Sequence, residues 1–389
     1  MNHLGRFARA AARVARTRYP GFIFGLPPRR DAMGRDEIPV FTYHDVEPAD
    51  LSRDLEFLKC NGYRTLGLDE YLEARGEKLA EKSTRGRRVL LTFDDARRSF
   101  WQVAMPLLRT FEARAVLFAP SHWMTLPLPP AGPLPAAGHP DDSLFMSWEQ
   151  LRACVASGLV DVQSHAHRHA LVPVSQRLVD FANPQALARF DIYDWPMRFL
   201  HDAEELGRPA PGTPVYRSTP LLSAERCYVP DAELTQLCRE FVGRSGGNDF
   251  FSQPDWRVRL RTFHRSNFDR MAGRFMQPVQ LRELLESEFE RSRAQFQLHL
   301  GYAPSCIAYP WMLGSVTSLQ LAQRSGLRVA FGVALDYAAE RRRSRLPIAV
   351  FGRLKCDWLQ FLPGERRSSV FATMGRKLTG FAKVQHLAH

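Results

Sequence analysis

This 389-residue chain lacks long apolar runs: none approaches the ~20 residues that a bilayer-spanning helix needs, so no transmembrane span is expected. Cysteine is scarce and scattered. The six, Cys60, Cys154, Cys227, Cys238, Cys306 and Cys356, contain no C-x-x-C pair, so neither a disulfide framework nor a thiolate zinc site is indicated and a reducing compartment fits best. Acidic charge falls short of basic charge. With 41 Asp and Glu against 53 Lys and Arg the formal net charge is +12, which favours anionic partners. The basic residues are spread along the chain and form no zinc finger, RNA-recognition motif or other readable nucleic-acid module, so nucleic acid is not an expected partner. The start also lacks an uninterrupted apolar core with a small-residue cleavage site, so it does not read as a secretory signal, and a cytoplasmic location is expected.

The first 36 residues have a pattern of their own. On a helix, Leu4, Phe7, Ala8, Ala11, Val14 and Ala15 share one face while Arg6, Arg9, Arg13 and Arg16 share the other. Such a segment is an ordinary basic surface helix or tail, an Arg-rich transit peptide, or a helix lying on an anionic membrane, here the inner membrane face.

From residue 37 to about 370 the chain alternates strands with helices. "IPVFTYHDV", "RRVLLTFDD", "RAVLFAPS" and "LVDVQSH" read as strands. Between them come a helix patterned on Leu51, Leu55, Leu58 and Cys60 and stopped by Asn61-Gly62, the helix "SFWQVAMPLLRTFEA", and "SWEQLRACVASG" with Ser147 as N-cap and Gly158 as stop. This alternation implies parallel βαβ units and an α/β fold, barrel or doubly wound. The rhythm fails between about Phe181 and residue 280, a Pro-, Gly-, Trp- and Arg-rich stretch that reads as an insertion or lid; its Trp195, Tyr216, Trp256 and Phe263 either stack sugar rings or pack a small core of the insertion's own. A smaller Pro/Leu-rich insertion occupies 125–142. The alternation then returns with a helix ended by Gly301, the strand "SCIAYP", a helix "SLQLAQRSG", the strand "LRVAFGVAL" and a last β-like piece "PIAVFGRL", before a basic tail at 371–389.

Ligands of α/β folds sit at the carboxyl ends of the strands, so the polar residues that follow strands are the ones to collect. They are Tyr43-His44-Asp45, Asp94-Asp95, Ser121-His122, His165 with His167 and His169, and Tyr309-Pro310-Trp311. In "SHAHRHAL", His165 and His169 stand four apart, a spacing that lets two imidazoles meet one metal, with His167 pointing elsewhere. Each signal has a plain alternative: a surface histidine cluster for the one, and a turn closing a strand for the double Asp. A divalent cation would relieve the repulsion within Asp94-Asp95, one carboxylate ligating it and the other serving as a base. One carboxylate with two imidazoles leaves coordination positions open, as a catalytic metal site requires.

"TFDDARRSFWQVAMPLLRTFEARAVLFAPS", "QSHAHRHAL" and "AYPWMLGS" resemble, in order, the three signatures of the polysaccharide deacetylase family, carbohydrate esterase family 4, with its NodB-homology domain. The resemblance covers roughly 37–180 and 280–355 and implies a distorted (β/α)7 barrel of the NodB-homology type carrying the large insertion. It departs in Ala96 where the family has Gly, in Ala166 where Ser or Thr is usual, and in Met312-Leu313 before Gly314. No Leu-x-His signature follows within the domain; the late match is Leu387-Ala388-His389.

The resemblance implies Asp94 as general base, Asp95, His165 and His169 as ligands of zinc or, alternatively, cobalt or nickel, and the backbone at Trp311 as an oxyanion donor, with Tyr309, Pro310 and Trp311 lining the substrate. His44 sits where branches resembling circular permutations take their general acid, and His264 is the reserve acid. The expected function is hydrolysis of a non-peptide carbon–nitrogen bond. The substrate would be an N-acetylated saccharide, a cytoplasmic or lipid-linked glycan intermediate of cell-surface polysaccharide synthesis. The alternatives are a metal-dependent amidase or deformylase on a non-sugar N-acyl compound, and a non-catalytic glycan-binding protein on the same scaffold.

Overall fold

The computed structural model describes residues 38–76, 87–124, 144–200, 203–332 and 346–367. The basic N-terminal segment, the insertion at 125–142 and the tail at 371–389, with its Leu-x-His match, lie outside the described residues.

Apolar, β-branched and aromatic runs form the central strands, as expected. The elements run β1 (Val40–Tyr43), α1 (Pro48–Cys60), β2 (Tyr63–Thr65), α2 (Leu68–Gly76), β3 (Arg87–Phe93), α3 (Met105–Phe111), β4 (Ala115–Ala119), α4 (Trp148–Ala156) and β5 (Val160–Ser164). There follow β6 (Leu171–Phe181), α5 (Pro184–Arg189), β7 (Arg198–Leu200), β8 (Ala203–Glu205), β9 (Pro214–Pro220), β10 (Tyr228–Val229), α6 (Ala232–Arg244), α7 (Trp256–Phe268) and β11 (Arg274–Phe275). The last are α8 (Pro278–Leu300), β12 (Cys306–Ala308), α9 (Val316–Arg324), β13 (Val329–Phe331), β14 (Ala349–Phe351) and β15 (Leu354–Lys355). The strands pair in the orders β4-β3-β1-β15, with β2 on β3, and β14-β13-β12-β5. β14 and β15 are consecutive in sequence, joined by Gly352 and Arg353. This is the α/β architecture with a mostly parallel central sheet expected of a distorted (β/α)7 barrel.

The chain divides into two compact units. The first draws on residues within 1–118, 149–162 and 352–383. In it β1 lies between β3 and β15, and β3 pairs with β2 and with β4 through Thr92↔Val116 and Phe93↔Leu117, all parallel. Val89, Leu90, Leu91 and Phe93 of β3 are fully buried, as strands covered on both faces must be. Leu51, Leu55 and Leu58 of α1 are buried as patterned, but Cys60 is exposed; Asn61 is the C-cap, and Gly62 follows in the left-handed region. The expected helix over 99–113 begins as a π turn, Phe100–Ala104, before α3.

The second unit draws on residues within 119–148, 163–351 and 384–389. Here β12 pairs in parallel with β5 and β13, and β13 with β14. Leu281, Leu285 and Phe289 of α8 and Leu319 and Ala322 of α9 pack with Ile307 and Ala330 into its main core. Before the stretch expected as an insertion, β6 starts at Leu171 and runs antiparallel to β9, which lies inside that insertion. Its aromatics pack its own interior: Trp256 lies with Phe181, Phe250, Phe251 and Leu260, Phe263 packs against that cluster, and Trp195 lies with Ala186 and Val215. Tyr216 is fully buried. The small-core reading therefore holds, and the sugar-stacking reading of these four residues does not. Among the described residues no helix is long and apolar enough to cross a membrane.

Candidate active site

At the end of β3 the buried run gives way to Asp94 and Asp95. The N–H of Asp94 donates to the Tyr43 carbonyl at 2.9 Å, continuing the ladder to β1 by one residue. The chain then turns sharply, with φ 69° at Asp95 and 45° at Ala96. L-residues enter this left-handed region at roughly 1–2 kcal/mol each, which glycine avoids. Ala96, fully buried, thus carries the strain expected where a glycine has been replaced.

The carboxylate of Asp94 is clamped from a distant part of the chain. Arg353, between β14 and β15, donates from Nη1 to Oδ1 at 2.6 Å and from Nη2 to Oδ2 at 2.7 Å. Both side chains are nearly inaccessible, 1% and 2% exposed, so the ion pair is desolvated and its fork geometry fixes the carboxylate plane. Sequence reasoning missed Arg353; the signal available was an arginine just past a strand end, separated from it by Gly352, in "FGRL". The His44 side chain is 58% exposed, with Nε2 3.8 Å from Asp94 Oδ2, close but beyond hydrogen-bond length. Asp95 Oδ2 faces Arg97 Nε at 3.6 Å.

The histidine segment leaves β5 after Ser164. The backbone N–H of His165 donates to the Ala119 carbonyl at 3.0 Å, and its Nδ1 lies 2.8 Å from the Ala308 carbonyl oxygen. A carbonyl only accepts, so Nδ1 carries the hydrogen and Nε2 keeps its lone pair for a ligand. Left-handed steps at Ala166 (φ 64°) and His169 (φ 48°) fold the segment so that the His165 and His169 rings come within 4.7 Å. His167 points elsewhere, as expected: its Nδ1 lies 2.9 Å from Ser121 Oγ, and burial pushes its pKa down to about 3. The ring of His169 is flanked by Tyr193 at 3.9 Å and by Trp311 at 4.3 Å.

His165 and His169 of the second unit are both buried, as is Asp95 of the first, and each is of a residue type that offers a ligand atom to a divalent cation. Trp311 is itself left-handed, φ 51°, in the turn after β12.

Two expectations need correction. Tyr309 does not line a substrate surface: it is 0% exposed and packs into the core with Ile307 and Leu319, Pro310 beside it is buried too, and only the partly exposed Trp311 of the three is available. His264 is not placed to act as an acid. It is buried in the insertion with Nε2 2.8 Å from the Tyr216 hydroxyl, and burial lowers its pKa to about 4, so it is neutral near pH 7.

Residues 81–188, which hold both Asp94-Asp95 and the histidine segment, match the family model for polysaccharide deacetylase. This segment is similar to the polysaccharide deacetylase family. The poly-beta-1,6-N-acetyl-D-glucosamine N-deacetylases of Escherichia coli K12 and of Escherichia coli O157:H7 are each 31% identical to it over 134 residues, 33% of this chain and 19% of theirs. The match thus spans less than a fifth of the length of these curated relatives. A solved de-N-acetylase from Aggregatibacter actinomycetemcomitans is 18% identical, with a TM-score of 0.48 over 87% of this chain and 98% of that one. The BpsB deacetylase domain from Bordetella bronchiseptica is 19% identical, with a TM-score of 0.48 over 85% and 98%. The likeness to polysaccharide deacetylases implies a divalent metal ion, and the residue types suit one: the carboxylate of Asp95 and the imidazoles of His165 and His169, with Nε2 of His165 left as donor by the Ala308 carbonyl.

Proposed function

We propose that the domain is a metal-dependent N-deacetylase that hydrolyses the acetamide of an N-acetylated sugar. The observation that carries the reading is the desolvated Asp94, clamped by Arg353 and followed directly by the buried Asp95. Asp95, His165 and His169 would hold the ion, zinc first, with cobalt or nickel as alternatives. When bound, such an ion supplies Lewis acidity toward the acyl oxygen and lowers the pKa of a water toward ~7.

The chain's own residues do the rest. The Asp94 carboxylate, held in place by Arg353, accepts the proton of the attacking water. The backbone N–H at Trp311 stabilises the tetrahedral oxyanion, a contact whose loss typically slows such reactions ~10²–10³-fold. His44 protonates the departing nitrogen, its exposed ring reaching substrate while its Nε2 stays near Asp94. The products are acetate and a free amine, whose ammonium form is favoured beside a carboxylate.

The curated relatives are named for a β-1,6-linked N-acetylglucosamine polymer, and the same acetamide on such a glycan is the substrate proposed here. A lipid-linked intermediate of cell-surface polysaccharide synthesis, met by a cytoplasmic protein resting on the inner membrane face, fits the basic amphipathic start. The test is acetate release from N-acetylglucosamine oligomers before and after a chelator. Activity should vanish on chelation and return with zinc, while His165→Ala should not recover. Undiminished release after metal removal would sink the proposal.

A further inference from the structure

Glu288 lies on α8, far in sequence from the histidine segment, yet it is fully buried against it. Its Oε2 accepts the backbone N–H of His167 at 3.1 Å and of Arg168 at 2.9 Å, two consecutive donors lying between the ligands His165 and His169. Its Oε1 accepts from Arg168 Nη1. One helical turn later Ser292 meets Ser164 Oγ at 2.9 Å, and Ser164 Oγ in turn accepts the N–H of Ala166 at 3.1 Å. One face of α8 therefore holds the segment at its start and at its middle.

We infer that Glu288 is a positioning residue for the metal-ligand loop, an inference that rests on the metal reading above and adds what keeps the two imidazoles in place. The loop is left-handed at Ala166 and His169, which turns the intervening N–H groups away from any strand partner. Without an acceptor those buried N–H groups lose their partners, and the loop relaxes toward conformations that carry the rings apart. A carboxylate satisfies both, and its charge is balanced from within the same loop by Arg168. Arg168 also donates to Ser287 Oγ at 3.0 Å and to both oxygens of Glu204 on β8, at 2.8 and 2.9 Å. The insertion is thereby tied to the loop by an ion pair.

Two double variants separate an acceptor role from charge pairing alone, because neither leaves Arg168 buried against a neutral partner. Arg168→Met with Glu288→Gln keeps an oxygen for the two N–H groups; Arg168→Met with Glu288→Leu removes it. Zinc affinity of each purified full-length chain is measured by competition with a chromophoric chelator. The Gln variant should bind zinc less than tenfold more weakly than the unaltered chain, and the Leu variant about 10–100-fold more weakly, the range for loss of an outer-shell support. Equal affinity of the two variants would overturn the inference and leave the metal site standing. An unaltered chain that binds no zinc would overturn the metal reading and the inference together.

Discussion

At the scale of single residues, two of the carboxylates buried in the first unit stand in opposite circumstances. Asp94 has a guanidinium on both oxygens; Asp54 accepts from the Tyr43 hydroxyl at 2.9 Å and from the Gln360 amide at 2.9 Å. Burial raises the Asp54 pKa from 3.8 to about 6, against the smaller pull of those two hydrogen bonds and of Arg53. A carboxyl that holds its proton more tightly when folded adds stability below its unfolded pKa and loses it as pH rises through the folded value. Urea unfolding of the unaltered chain and of Asp54→Asn should therefore diverge between pH 4 and 6. The unaltered chain should lose roughly 3 kcal/mol relative to the variant across that window. Parallel pH profiles would show that Asp54 titrates normally.

Among the elements, short-range chemistry decides which boundaries are legible. Gly158 and Gly301 stop α4 and α8 in the left-handed region, as their place after amphipathic runs predicts. The insertion was harder to delimit, because β6 begins in a Val/Leu run continuous with the histidine segment, and only its antiparallel pairing with β9 shows where the new layer starts. Tyr309 was misjudged for a related reason: a strand-end residue faces either the site or the core, and the choice is set by packing against Leu319 and its neighbours. Within the insertion, Gly273 makes a sharper demand. It has φ 67°, and a Cβ there would press on the Val229 carbonyl oxygen and come within 3.0 Å of the Asp231 nitrogen. Gly273→Ala should destabilise the protein by at least about 1 kcal/mol in urea unfolding, since backbone atoms cannot step aside. An unchanged midpoint would mean that the β10 and β11 region rearranges freely.

For the molecule as a whole, the parts legible in sequence are those whose partners are close along the chain: Asp94 with Asp95, and His165 with His169. Arg353 and Glu288 escaped because each meets its partner only when distant segments pack, 259 positions apart for Arg353 and Asp94 and 121 for Glu288 and His167. No periodicity or spacing signals such a pair. The central claim joins both kinds of residue: a metal-assisted deacetylation in which Asp94 is the base. It is tested most directly by the kcat/KM for acetate release from a β-1,6-linked N-acetylglucosamine oligomer, comparing the zinc-loaded chain with zinc-loaded Asp94→Asn. The account predicts measurable release by the former and a loss of ~10²–10⁴-fold in the latter, with zinc content unchanged. Absence of acetate release from the unaltered chain, or equal rates for the two, would contradict it.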